Sequence, residues 1–118
     1  VVRNGTSADF LRMEECCTRA EQADSMEQFE VWDGALHQAI ADATHNTFIQ
    51  EVFHLMNKVR EQGDWGSLKM KSLTPQRREV YEQEHRALVN ALKDRDEERG
   101  RLLMMEHLVR IRQNLLGY

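Results

Sequence analysis

VWDGALHQAI, residues 31–40, is the stretch on which the reading of this chain turns. Trp32, Leu36 and Ile40 recur at the spacing of one helix face, and Phe29 and Ala43 extend the stripe in both directions. Asp33 and His37 interrupt it, four residues apart and therefore one above the other on the same helix. Burying a carboxylate or an imidazole without a partner is costly. The stretch reads as a core helix whose polar pair is met by something from elsewhere in the fold.

Working outward, the flanking sequence is helical throughout. Ser25 followed by Gln28 resembles a capping box that opens the helix just described. Upstream, Thr6 or Ser7 can cap a short helix with Phe10, Met13, Cys17 and Ala20 on its inner face. Downstream, Asn46 can cap a third helix, in which Phe48, Ile49, Val52, Phe53, Met56 and Val59 recur at clear helical spacing, fading near Glu61. The segment EQGDWGSLKMKSLT, residues 61–74, has two glycines and no sustained period, and reads as a loop that Trp65 and Leu68 could fold over something. Thr74–Pro75 is a strong helix start, followed by Tyr81, His85, Leu88 and Leu92. Asp94 with Glu97 predicts a capping box for a last helix carrying Leu103, His107, Ile111 and Leu115.

The 118 residues hold one domain with a single sizeable core, and one proline with six glycines leaves few breaks for a β-rich fold. The expected fold class is all-α, an antiparallel bundle of four to six helices. A formal charge of −4 argues against a grip on nucleic acid or an anionic membrane by this stretch itself. No apolar run approaches a membrane span and no signal-peptide pattern opens the chain, so a cytoplasmic location is expected. Cys16 and Cys17 are adjacent, leave a helix in different directions, and are expected to be reduced, with Cys17 in the core.

Three helices each place a histidine on a core stripe: His37, His85 and His107, with Asp33 one turn from the first. Inward-facing His and carboxylate side chains from separate helices are how metal sites are built in bundles. Three imidazoles and one carboxylate suit zinc, nickel, manganese or iron. The bland alternative is that each histidine is an ordinary hydrogen-bonded core residue and that Asp33 and His37 pair only with each other. His45 and His54 lie off the stripe and are expected at the surface. Met56, Met104 and Met105 read as core filling. Arg60 continues the third helix's stripe, either as a snorkelling surface arginine or as a clamp for a ligand carboxylate.

Together, WDGALHQAIADATHN (32–46), EHRALVNALKDRDEERG (84–100) and MMEHLVRI (104–111) resemble the FadR C-terminal (FCD) ligand-binding domain of GntR-superfamily transcription regulators. The resemblance runs from about residue 8 to 116. Leu36 stands where that family commonly has an aromatic residue before the histidine, and keeps the position apolar. The resemblance implies that Asp33, His37, His85 and His107 bind one divalent metal ion, zinc first among the candidates, as in the metal-binding branch rather than the acyl-CoA-binding one. It also implies a small organic acid as effector, homodimerisation, no catalysis, and operator DNA bound by a winged helix-turn-helix domain. That domain and a first long ligand-domain helix are expected to precede residues 1–118, which form the effector-binding and dimerisation domain. Competing readings are a helical metalloenzyme using the same site for hydrolysis and a metal-free helical interaction module.

Overall fold

A computed structural model describes the backbone of residues 1–60 and 63–117, and the side chains of residues 1–59 and 67–117. Among the described residues the chain forms six helices and no strand: α1 (Ser7–Glu21), α2 (Met26–Asp42), α3 (Thr47–Arg60), α4 (Gly63–Ser72), α5 (Pro75–Lys93) and α6 (Glu97–Leu116). Among the described residues no helix is long and apolar enough to cross a membrane.

Local chemistry sets most of the helix starts. Thr6 caps α1 in a reciprocal capping box with Asp9, Ser25 accepts from Gln28 N at α2, and Asn46 Oδ1 accepts from Ile49 N at α3. Thr74 accepts from Arg77 N, with Pro75 in the first helical turn of α5.

At the α5–α6 junction the expected box on Asp94 does not form. Asp94 ends α5, Arg95 takes the left-handed conformation at φ 55°, and Asp96 caps α6 by accepting from Arg99 N. The reason is a Schellman-like closure, in which Asp96 N donates to Ala91 O at 3.0 Å. The Arg95 guanidinium then donates to Val2 O and Gly5 O and lies over the Phe10 ring, holding the left-handed turn in place.

Residues 63–72 are helical rather than the expected loop. Two glycines weaken the local signal, but tertiary contacts override it. Lys69 is buried, with its Nζ 5.0 Å from the Tyr81 ring and 3.6 Å from Glu30, and Leu73 enters a core cluster with Ala20, Phe29 and Tyr81. Leu68 is exposed, while the Trp65 and Arg60 side chains lie outside the described residues.

The larger cluster joins α1, α2 and α5 through Phe10, Met13, Cys17, Leu36, Leu88 and Leu92, with Leu103 and Met104 of α6 packed against it. Met13 is fully buried, and truncating such a side chain to alanine costs about 2–5 kcal/mol. The α3 stripe stays largely outside this core: Phe48, Val52 and Val59 are exposed, Ile49 and Phe53 are half-buried, and Met56, expected as core filling, is exposed. Met105 is exposed as well, so of the three methionines expected as core filling only Met104 packs inward. Both cysteines are buried and unbridged.

Candidate metal centre

The two apolar clusters share the same helices, and between them lies a polar layer. On α2 it falls between Phe29 and Ala39, on α5 between Tyr81 and Leu88, and on α6 between Leu103 and Ile111, which pack against opposite clusters. The layer consists of Asp33, His37, His85 and His107, all buried, and one potential ligand atom from each lies within 4.8 Å of all the others. Three helices thus bring together the four residues expected from the sequence. His45 and His54 are exposed, as expected, and His45 pairs with Asp9 at 2.8 Å.

Asp33 Oδ1 is 2.9 Å from His85 Nε2 and 3.5 Å from His37 Nε2. The pair in the opening stretch therefore does not close on itself. Among the described residues His85 Nε2 is buried with no polar partner besides the Asp33 carboxylate, and His107 Nε2 is buried with no hydrogen-bond partner. Buried polar atoms are rarely left in this state. The His85 and His107 rings stand edge to face with centroids 4.9 Å apart, and the His37 ring is 5.9 Å from each.

Glu84 is the residue that sequence reasoning missed. It precedes His85 on α5, but its Oε1 lies 3.2 Å from Nδ1 of His107 on α6, and its Oε2 accepts from Arg110 Nε at 3.0 Å. A carboxylate at Nδ1 fixes the tautomer that carries its proton there and leaves the Nε2 lone pair facing the cluster. Tyr81 meets the His107 ring edge-on at 5.7 Å and Phe29 stacks on His85 at 6.4 Å, so aromatic walls hold both imidazoles.

Electrostatics follow from burial. Burial works to raise the Asp33 carboxyl, but the charge of His37 and the hydrogen bonds from His37 and His85 outweigh it and hold the group well below the usual carboxylate range. Burial, reinforced by His85, lowers the His107 imidazolium to about 4 despite Glu84. At neutral pH the layer thus carries a buried carboxylate beside a neutral imidazole that offers a lone pair. A metal ion is one species that would satisfy both, alongside the His37 and His85 contacts that Asp33 already makes.

The donor set fits one. Ligand atoms about 2.0–2.2 Å from a zinc ion stand roughly 3–4 Å from one another, so the cluster is close to that spacing before any ion is considered. An open groove of about 830 Å³ lies between α2, α3 and α4, with Glu30, Gly34, Gln38, Asn57 and Lys69 among its walls and none of the four tetrad residues among its described lining.

The profile of the FCD domain matches residues 1–110. The chain belongs to the FCD domain family. FCD domains are the C-terminal, ligand-sensing domains of GntR-family transcription regulators, which are not enzymes, and their helical bundle agrees with the fold described above. Comparison with curated proteins finds no match. The buried Asp and three histidines of this FCD domain form a group able to hold a metal ion.

Proposed function

We propose that this FCD domain senses a small carboxylate through a divalent metal ion held by Asp33, His37, His85 and His107. The observation that carries the reading is the buried tetrad, whose four ligand atoms converge within 4.8 Å, with His107 Nε2 lacking any hydrogen-bond partner among the described residues. Zinc is the first candidate, with nickel, manganese and iron as alternatives of suitable ligand preference. When bound, the ion supplies positive charge and a coordination position for a carboxylate oxygen. The chain's own residues orient the site: Glu84 and Arg110 set the His107 tautomer, and Phe29 and Tyr81 fix the rings.

Arg60, whose side chain lies outside the described residues, is retained as the candidate clamp for the ligand carboxylate. Within a cytoplasmic regulator, effector binding here would alter operator affinity by coupling to a winged helix-turn-helix domain ahead of this one, in a homodimer. The test is elemental analysis of the purified domain together with a thermal-shift screen of small carboxylic acids, with and without chelator. Near one metal per chain and a chelator-sensitive shift support the reading. A chain that takes up no metal from excess zinc, nickel, manganese or iron overturns it.

A further inference from the structure

α3 is attached the wrong way round for an amphipathic helix. A row of hydrogen bonds ties it to α2: Asn57 Nδ2 donates to Gly34 O and Gln38 Oε1, both at 3.3 Å, Gln50 Nε2 donates to Asp42 O at 3.2 Å, and Gln38 Nε2 donates to Gln50 O at 3.3 Å. Gln50 and Asn57 are two turns apart and lie on one line of the helix. On the opposite line stand Phe48, Val52, Leu55 and Val59, exposed by 76, 37, 63 and 57%. Their spacing of four, three and four residues is the seam of a coiled coil. A helix that faces inward with amides and outward with a heptad seam keeps its apolar side for another surface.

The residues flanking the seam indicate what that surface is. Ile49 and Met56 line one side, and Glu51 and Lys58, both exposed and seven residues apart, line the other. In a parallel pair, Glu51 and Lys58 would face the apolar flank of the partner. In an antiparallel pair with its two-fold axis between Val52 and Leu55, Glu51 meets Lys58 of the partner subunit, and the same pairing repeats across the axis. A surface complementary to itself under a two-fold rotation is the requirement of an isologous interface. We propose that the outward face of α3 is a homodimer seam, packed antiparallel against α3 of a second copy.

This rests on the homodimer in the function proposed above and assigns its surface. Four seam residues on one short helix fall below the ~800 Å² per partner of a standard interface, so the association is expected to be weak and concentration-dependent. Sedimentation velocity of the full chain over about 1–500 µM tests it, with association expected in that range. Leu55→Glu should leave monomer throughout. Glu51→Lys should weaken association about tenfold, and adding Lys58→Glu should restore it, because reversing both charges regenerates the antiparallel match. A merely structural role for Glu51 gives no such rescue. Association unaffected by these variants overturns the seam and leaves the homodimer reading standing. A wild-type chain monomeric at every concentration overturns both, while the metal reading keeps its own test.

Discussion

His107 Nδ1 and Glu84 Oε1 lie 3.2 Å apart across the α5–α6 contact, and this pairing decides which imidazole nitrogen faces the cluster. Glu84→Ala frees the ring to rotate or change tautomer, and metal affinity should fall about 10–100-fold, read by competition with a chromophoric chelator. Glu84→Gln keeps an acceptor for the Nδ1 proton and should lose less. Equal affinities for all three proteins would remove the orienting role.

Metal removal should cost stability. An ion present at a hundred times its dissociation constant adds about 2.7 kcal/mol, which is roughly 10 °C in melting temperature for a domain of this size. Calorimetry with and without chelator should show that difference for the wild type and none for His85→Ala, whose ring contributes one of the four converging ligand atoms.

How much of this was legible beforehand differs from element to element. The α5 start was readable because a capping threonine and a following proline act within one turn. The tetrad was readable because polar residues on an apolar stripe stand out wherever the stripe leads. α4 was not, since its glycines mask a helix held by Lys69 against Tyr81 and by Leu73 in the core. The α3 periodicity gave the helix but not its orientation, because the hydrogen bonds of Gln50 and Asn57 to α2 outweighed the stripe. Glu84 gave no signal, as its partner lies on another helix.

Acid should destabilise the metal-free protein before carboxylates begin to titrate. His107 falls from its ordinary 6.5 to about 4 on folding, so between these values the unfolded chain binds the proton first. Its contribution is fully present above pH 6.5 and lost progressively down to about 4. The loss is on the order of 3 kcal/mol. Asp33, held low in the folded state, adds its own loss only below about 3.8. Urea midpoints of metal-free protein at pH 7 and pH 5 should differ, and His107→Gln should narrow the difference.

Alkali should act through Cys17. Burial raises this thiol from 9.0 to about 12, so above pH 9 the unfolded chain loses a proton that the folded chain keeps. Stability should then fall by about 1.4 kcal/mol per pH unit up to the folded value. Cys17→Ala should have a shallower decline between pH 9 and 11. In the native protein at pH 8, Cys17 should react with a disulfide reagent far more slowly than in urea.

Gly34 is an untapped source of stability. A Cβ there would meet Asn57 Oδ1 at 3.6 Å, an ordinary contact, and the hydrogen bond from Asn57 to the Gly34 carbonyl survives substitution. Gly34→Ala should therefore stabilise by about 0.5–1 kcal/mol in a denaturant titration. A loss instead would mean that the α2–α3 contact tolerates no added methyl group.

The left-handed Arg95 has a consequence for the order in which the domain is made. Its guanidinium closes on Val2 O and Gly5 O across 93 and 90 residues of sequence, next to the cap that begins α1. On a ribosome, the turn at residues 1–5 emerges well before residue 95, and its carbonyls must wait for this donor. α1 can form and bury its apolar face sooner, but its leading edge is latched only after α5 has been synthesised. Premature termination anywhere before residue 95 would release a product in which the turn ahead of α1 is unfastened, exposing that turn to proteases that the finished domain resists.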